Sequence, residues 1–170
     1  YLVKAVLIAE DDKFYQHEGF DYEAIEKAIE KDIKQKKFKF GGSTISQQLA
    51  KNLYLSSSKN PLRKLIEAIL TWRLEKTLSK KRILELYLNV AEWGEGIFGI
   101  EAASFHYYGK PAANLTPEEA ARLASVLPNP RKYNPAGKSR YIENRSKTIF
   151  NIMVRRGIVT EEYDLREEGE

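Results

Sequence analysis

The sequence predicts a mostly α-helical protein. Apolar residues recur at three- and four-residue spacing along most of the chain, and capping residues with Gly or Pro stops punctuate those runs at helix-length intervals. No repeat, low-complexity tract or convincing strand pair competes with that pattern. The first apolar stretch, Ala5 to Ala9, runs directly into the acidic triplet Glu10-Asp11-Asp12. Asp21 is a candidate N-cap for a helix with Tyr22, Ile25, Ile29 and Ile33 on one stripe. Ser43 is a candidate cap for a second, carrying Ile45, Leu49 and Leu53. Asn60-Pro61 reads as a cap and first turn, with Leu62, Leu65, Ile66 and Ile69 expected to face inward. Ser79 opens the next helix, through Ile83, Tyr87 and Val90. Gly94, Gly96 and Gly99 then mark a structured loop. Thr116-Pro117-Glu118-Glu119 is a capping box before an alanine-rich helix to Leu127. Pro128, Pro130 and Pro135 exclude helix from the stretch that follows. A last helix carries Ile142, Arg145, Ile149, Ile152 and Met153 and stops at Gly157.

With 170 residues the chain suits one domain, or one domain with a small lobe. A fold of this size buries roughly 70% of its unfolded surface, so its core needs no staples. A composition of 42% hydrophobic and 31% charged residues, with 10 Gly and 6 Pro, excludes collagen-like and broadly disordered chains. The absence of Cys excludes disulfide scaffolds, thiolate zinc sites and cysteine nucleophiles. His17 and His106 alone cannot make a histidine-rich metal site. A net charge of +4 is compatible with an anionic partner without naming one. Ala5–Ala9 falls far short of the ~20 apolar residues of a membrane span. The chain opens at Tyr1 without Met, and we read it as part of a longer protein.

Three clusters could carry chemistry. In Glu10-Asp11-Asp12-Lys13-Phe14, with His17 and Gly19 behind, neighbouring carboxylates repel, which favours a raised pKa and so a general base or acid. A solvated helix end would look the same, and further metal ligands are not spaced to complete a site. In GGSTISQQLAKN, residues 41–52, Thr44, Gln47, Gln48 and Lys51 share a helical stripe opposite Ile45, Leu49 and Leu53. Such an amide-rich face beside a helix N-terminus suits sugars and anions, and an ordinary amphipathic helix has the same pattern. Lys51 lies too far past the glycines for a phosphate-binding loop. In Arg63-Lys64-Leu65-Ile66-Glu67, Arg63 and Glu67 are spaced for a surface ion pair, or for a carboxylate held among cations. Separately, six lysines between Lys27 and Lys39, ending in Phe38-Lys39-Phe40, suit a membrane surface, a polyanion or a solvated face. His106 reads as packing on an aromatic helix end, Tyr87 as core, Asn89 as a cap and Trp93 as a buried loop residue.

Taken together, EDDKFYQHEG, GGSTISQQLAKN, RKLIE, KRILELYLN and ARLASVLPNP resemble, in order and type, the five motifs of peptidoglycan glycosyltransferases. The resemblance runs from about Lys4 to about Pro135, and the stretch from Glu92 to Pro130 is most similar to the monofunctional biosynthetic transglycosylases. It implies a single domain over 1–170, a lysozyme-like helical lobe with a small membrane-facing jaw that includes about 21–40. It also implies an inverting enzyme that polymerises lipid II into β-1,4-linked glycan and releases undecaprenyl diphosphate. On that resemblance Glu10 is the general base, and Glu67 is the second catalytic glutamate. Lys51 and Arg63 line the donor site, joined by Lys64. Ser43, Thr44, Gln47, Gln48 and Asn52 contact sugar and phosphate, and Asp11 helps to hold Glu10 or a cation. Many members carry an arginine where this chain has Lys59, which keeps the charge but loses the planar fork.

No cofactor is required by these residues. The family's frequent metal stimulation leaves room for a divalent cation, Mg or Mn, without a dedicated cage in the sequence. The implied partners are lipid II, the growing glycan chain, the membrane surface through the jaw, and other cell-wall synthesis proteins, with no nucleic acid. The implied place is the outer face of the bacterial cytoplasmic membrane, periplasmic where there are two membranes, with an N-terminal anchor outside this sequence. Two rival readings remain. A lysozyme-like muramidase shares the helical class, but cleaving a neutral bond gives Lys51, Lys59 and Arg63 no task. A non-catalytic basic module binding anionic lipid or nucleic acid draws on six basic residues against one acidic between Lys138 and Arg156.

Overall fold

The structure is a computed structural model that describes residues 1–23, 26, 42–55 and 62–159. In chain order the elements are α1 (Leu2–Glu10), α2 (Ile45–Tyr54), α3 (Leu62–Thr77), α4 (Lys80–Val90), β1 (Glu92–Gly94), β2 (Ile97–Phe98), α5 (Ile100–Tyr108), a 3₁₀ turn (Ala112–Asn114), α6 (Pro117–Val126) and α7 (Arg140–Arg155). The mostly helical expectation holds. Of the helix expected after Asp21, only Tyr22, Glu23 and Glu26 are described, as helical. The rest of that helix, the lysine run, Phe38-Lys39-Phe40, Lys59 and Asn60-Pro61 lie outside the described residues.

Two compact units make up the chain, one of Tyr1–Ala9 with the chain from Glu92 onward, the other of Glu10–Ala91. In the first, α6 packs against α7. Small residues on α6 (Ala120, Ala121 and Ala124) sit among buried Leu123 and Val126, and α7 offers the buried stripe Ile142, Ile149 and Met153. Each such large side chain contributes about 1.5–3 kcal/mol by leaving water. The capping box is formed as expected, Thr116 Oγ1 accepting from the Glu119 N–H at 3.2 Å and Glu119 Oε2 from the Thr116 N–H at 2.8 Å. Ser139 caps α7, and Gly157 follows it at φ +65°, the left-handed residue the sequence called for. Arg122 on α6 ties down the proline-rich stretch, its Nε donating to Pro135 O at 2.6 Å.

The glycine loop departs from expectation, because it contains a strand pair. β1 and β2 are antiparallel, with Glu92 opposite Phe98 and Gly94 opposite Ile97. The strands are too short for alternation to register, and the turn relies on Gly96 at φ +71°, whose N–H donates to Glu92 Oε1. Gly94 leaves room for Tyr107, whose hydroxyl would lie 2.0 Å from a Cβ there. Trp93 is fully buried, as expected of a loop tryptophan.

In the second unit, α2 packs against both α3 and α4 around Phe14, Ile45, Leu49, Leu74, Ile83, Leu84 and Tyr87. The cap of α2 is Thr44 rather than Ser43. Gln47 explains the shift: three residues after Thr44, its side-chain carbonyl reaches back to the Thr44 N–H at 2.9 Å, which Ser46 could not do for Ser43. Ser79 caps α4 as expected. α3 is turned over relative to the sequence reading. Leu62, Leu65, Ile66 and Ile69, expected inside, are exposed, and Trp72 with them, while Glu67, Thr71 and Leu74 are buried. The polar face can go inside because it finds partners there. Thr71 Oγ1 donates to Glu67 O at 2.8 Å, and Ser46 Oγ on α2 donates to Glu75 Oε1. Leu53 on α2 is likewise exposed, with Tyr54 beside it. No helix among the described residues is long and apolar enough to cross a membrane.

Candidate active site

The acidic triplet at the end of α1 is separated by its surroundings into three different environments. Asp12 is exposed, Asp11 is buried and Glu10 is half-buried. Asp11 Oδ2 accepts the backbone N–H of Ile45, at the first turn of α2, at 2.9 Å. The His17 ring closes on the same carboxylate, Nε2 lying 2.9 Å from Oδ1 and 3.1 Å from Oδ2. The other ring nitrogen, Nδ1, accepts the Gly19 N–H at 3.1 Å, so the proton sits on Nε2 and is donated to Asp11. Gly19 has φ +93°, and a Cβ there would meet Thr71 Cγ2 at 3.0 Å and Glu75 Cγ at 3.1 Å. Its carbonyl in turn accepts from Thr44 Oγ1 at 2.7 Å. The loop 11–19 and the N-terminus of α2 are thus fastened at two points, both through residues of the first two motifs.

That fastening places α2 so that Gln48 reaches Glu10. Gln48 Nε2 donates to Glu10 Oε2 at 2.9 Å and lies 3.5 Å from Ser43 O. From α4, the Tyr87 hydroxyl donates to Gln48 Oε1 at 3.0 Å. Burial pushes the Tyr87 hydroxyl well above the ordinary tyrosine range, and the charges of Glu10 and Asp11 push it further, so it remains a neutral donor. Two members of the polar stripe expected on α2 are therefore taken up inside the protein, Gln47 by the capping box with Thr44 and Gln48 by the Glu10 carboxylate.

Glu67 is buried on α3, and its partner is Lys64, one turn back, not Arg63. Lys64 Nζ donates to Glu67 Oε1 while its own side chain stays largely exposed. Arg63 is half-buried. Lys51 and Asn52 are exposed on α2, Lys51 three residues beyond Gln48 and so on the same side of the helix. Direct hydrogen bonds pair Glu10 with Gln48 and Thr44 with Gln47, Asp11 holds the Ile45 N–H on the same helix, and Ser43 lies at their edge. Lys64 and Glu67 form a separate pair.

Two residues of this network were not among the site residues expected from sequence. His17 was noticed only as a neighbour of the acidic cluster, and Tyr87 was read as core. Tyr87 is core, but its hydroxyl is part of the site. The signal available for it was a tyrosine within KRILELYLN, one of the five motif-like segments. Asn89 donates back to Glu85 O rather than capping the helix. His106 stands edge-on to Tyr107, with ring centroids 4.7 Å apart, as expected of aromatic packing. Lys80 sits over the Phe14 ring at 4.5 Å and pairs with Glu75 at 2.7 Å, bracing loop 11–19 from α4.

Among the described residues no group of three or more His, Asp or Glu converges on a metal position. Asp11, the carboxylate next to Glu10, is already taken up by His17 and Ile45. The donor set among the described residues is therefore not a preformed cage for a divalent cation.

A family profile described as Transglycosylase matches residues 1–154, a span that contains all five motif-like segments and every residue of the network above. Curated relatives named biosynthetic peptidoglycan transglycosylase are similar over most of the chain. One from Nitrosomonas eutropha is 56% identical over 151 residues, covering 89% of this chain and 62% of the relative. One from Methylobacillus flagellatus is 54% identical over 149 residues, covering 88% and 65%. One from Dechloromonas aromatica is 60% identical over 134 residues, covering 79% and 58%. The chain thus spans less than two-thirds of the length of these relatives. Since the matched span holds Glu10, the Gln48 amide that meets it and the buried Glu67 alike, the chain belongs to the transglycosylase family.

Proposed function

We propose that this chain carries the catalytic part of an inverting glycosyltransferase that polymerises lipid II in bacterial peptidoglycan synthesis. The observation that carries the reading is the half-buried Glu10, held by the Gln48 amide at the junction of the first two motifs. Glu10 takes the proton from the 4-hydroxyl of the acceptor sugar. The freed oxygen attacks the anomeric carbon of the lipid-linked chain. The bond from that carbon to the undecaprenyl diphosphate breaks, and its electron pair leaves with the diphosphate. One displacement turns an α-linked donor into a β-1,4 link, so no covalent sugar–enzyme intermediate is needed.

The Gln48 N–H donor orients the Glu10 carboxylate for proton transfer. Lys51, Lys59, Arg63 and Lys64 supply positive charge for the departing diphosphate. Glu67, paired with Lys64, fixes that cation and lies ready to balance positive charge on the sugar. Ser43 and Asn52 are left to contact sugar and phosphate, while Thr44 and Gln47, buried in the capping box, hold the N-terminus of α2 in place.

The lipid-linked substrate calls for a membrane surface. The exposed stripe Leu62, Leu65, Ile66, Ile69 and Trp72 on α3 supports one, since soluble proteins rarely leave such a row uncovered. This reading places the enzyme on the outer face of the cytoplasmic membrane. The jaw assigned to about 21–40 lies almost wholly outside the described residues.

The test is polymerisation of labelled lipid II in detergent by the wild type and by Glu10→Gln. Polymer from the wild type alone is expected. Equal polymer from both would remove Glu10 as the base. Cleavage of preformed glycan without polymerisation would favour the muramidase instead.

A further inference from the structure

We propose that Tyr87 is a positioning residue for Glu10, acting through Gln48: its hydroxyl anchors the Gln48 amide with the NH₂ end held toward the carboxylate. The inference rests on the reading of Glu10 as the base. A glutamine side chain presents an acceptor and a donor of nearly the same shape, and a half-turn about its last bond exchanges them. Turned the wrong way here, the amide would set Oε1 against Glu10 Oε2, lone pair to lone pair. The Tyr87 O–H donates to Gln48 Oε1 at 3.0 Å, which leaves the NH₂ end to donate to Glu10 at 2.9 Å. Both bonds are short enough and shielded enough to act as one chain, since Tyr87 is only 1% exposed. The Tyr87 ring is fixed by the core around it, so the hydroxyl is a rigid reference point rather than a flexible one. Gln48 has a rigid root as well, because α2 is fastened at Thr44 and Ile45. The hydroxyl also cannot ionise near neutral pH and reverse its role, since burial and the nearby carboxylates hold it protonated.

Tyr87→Phe removes one oxygen atom and keeps the ring that the core needs. The amide is then free to rotate, and Glu10 loses its donor for part of the time. The expected result is a kcat about tenfold lower, corresponding to roughly 1.4 kcal/mol, the scale of one hydrogen bond. KM for lipid II should stay within twofold, because no substrate contact is removed. A Gln48→Leu variant should lose more, and adding Tyr87→Phe to it should change kcat by less than twofold. A role in packing alone would instead give independent, multiplicative losses in the double variant.

A second readout does not depend on turnover. The side-chain amide protons of Gln48, followed by ¹⁵N-resolved NMR, should exchange slowly with solvent in the wild type and faster in Tyr87→Phe. Unchanged exchange, wild-type kcat in Tyr87→Phe, or multiplicative losses would each overturn the proposal. Glu10→Gln is run alongside. If it polymerises like the wild type, the reading of the site fails and takes this inference with it. If it is inactive while Tyr87→Phe matches the wild type, only the inference fails.

Discussion

Replacing Asp11 with alanine should destabilise the chain strongly, although the residue stands beside the proposed base and not in the hydrophobic core. Its side chain is only 2% exposed and accepts two donors, the Ile45 N–H at 2.9 Å and His17 Nε2–H at 2.9 Å. Hydrogen bonds to a charged group contribute about 1.5–3 kcal/mol each. Deleting the acceptor also strands two buried donors, and it removes a negative charge from the N-terminus of α2, worth about 0.3–1 kcal/mol. Partial entry of water offsets some of this, so about 3–5 kcal/mol is expected, a large part of the 5–15 kcal/mol typical of a domain. Urea unfolding followed by tryptophan fluorescence reads the change. With a slope of about 2 kcal/mol per molar, the midpoint should fall by about 1.5–2.5 M. Asp11→Asn should land between, because one amide oxygen can keep one donor while its NH₂ opposes the other. A midpoint within 0.3 M of wild type for Asp11→Ala, at unchanged slope, would show that the carboxylate does not fasten loop 11–19 to α2. Gln48 would then be placed against Glu10 by something other than that fastening.

Burial raises the Tyr108 hydroxyl to about 12, with Glu119 adding to the rise and Arg122 opposing it. The fold therefore favours the neutral form, and this contribution is complete below pH 10 and lost as pH rises from about 10 toward 12. Comparing urea stabilities at pH 9 and pH 11.5, Tyr108→Phe should lose about 1 kcal/mol less than wild type, a figure reduced for the partial exposure of the ring. Equal losses would contradict it. On α3, Leu65→Ser with Trp72→Ser should leave stability within about 1 kcal/mol, since both side chains are exposed, yet weaken sedimentation with lipid vesicles at least tenfold. Undiminished vesicle binding would take this stripe out of the membrane contact.

What the sequence discloses and what it withholds divide along sequence separation. Caps at Ser79 and Thr116 and the stop at Gly157 are legible because every atom involved lies within a few residues. The orientation of α3 is not. Its apolar stripe is plain in the sequence, but a stripe says only that two faces differ. Which face goes inside depends on whether the polar one finds partners, and those come from Ser46, 29 residues from Glu75. The acidic triplet teaches the same lesson at higher stakes. Mutual repulsion among Glu10, Asp11 and Asp12 is a local inference, and it singles out the cluster that the structure splits into three environments. It cannot divide the labour, because the donors that do so stand 34 residues from Asp11, at Ile45, and 38 from Glu10, at Gln48. Tyr87 is a further 39 from Gln48, so a residue that reads locally as core acquires its polar task only when α4 packs against α2. Folding thus gives three similar carboxylates an exposed, a buried and a half-buried place, and it does so with donors that periodicity cannot bring into view.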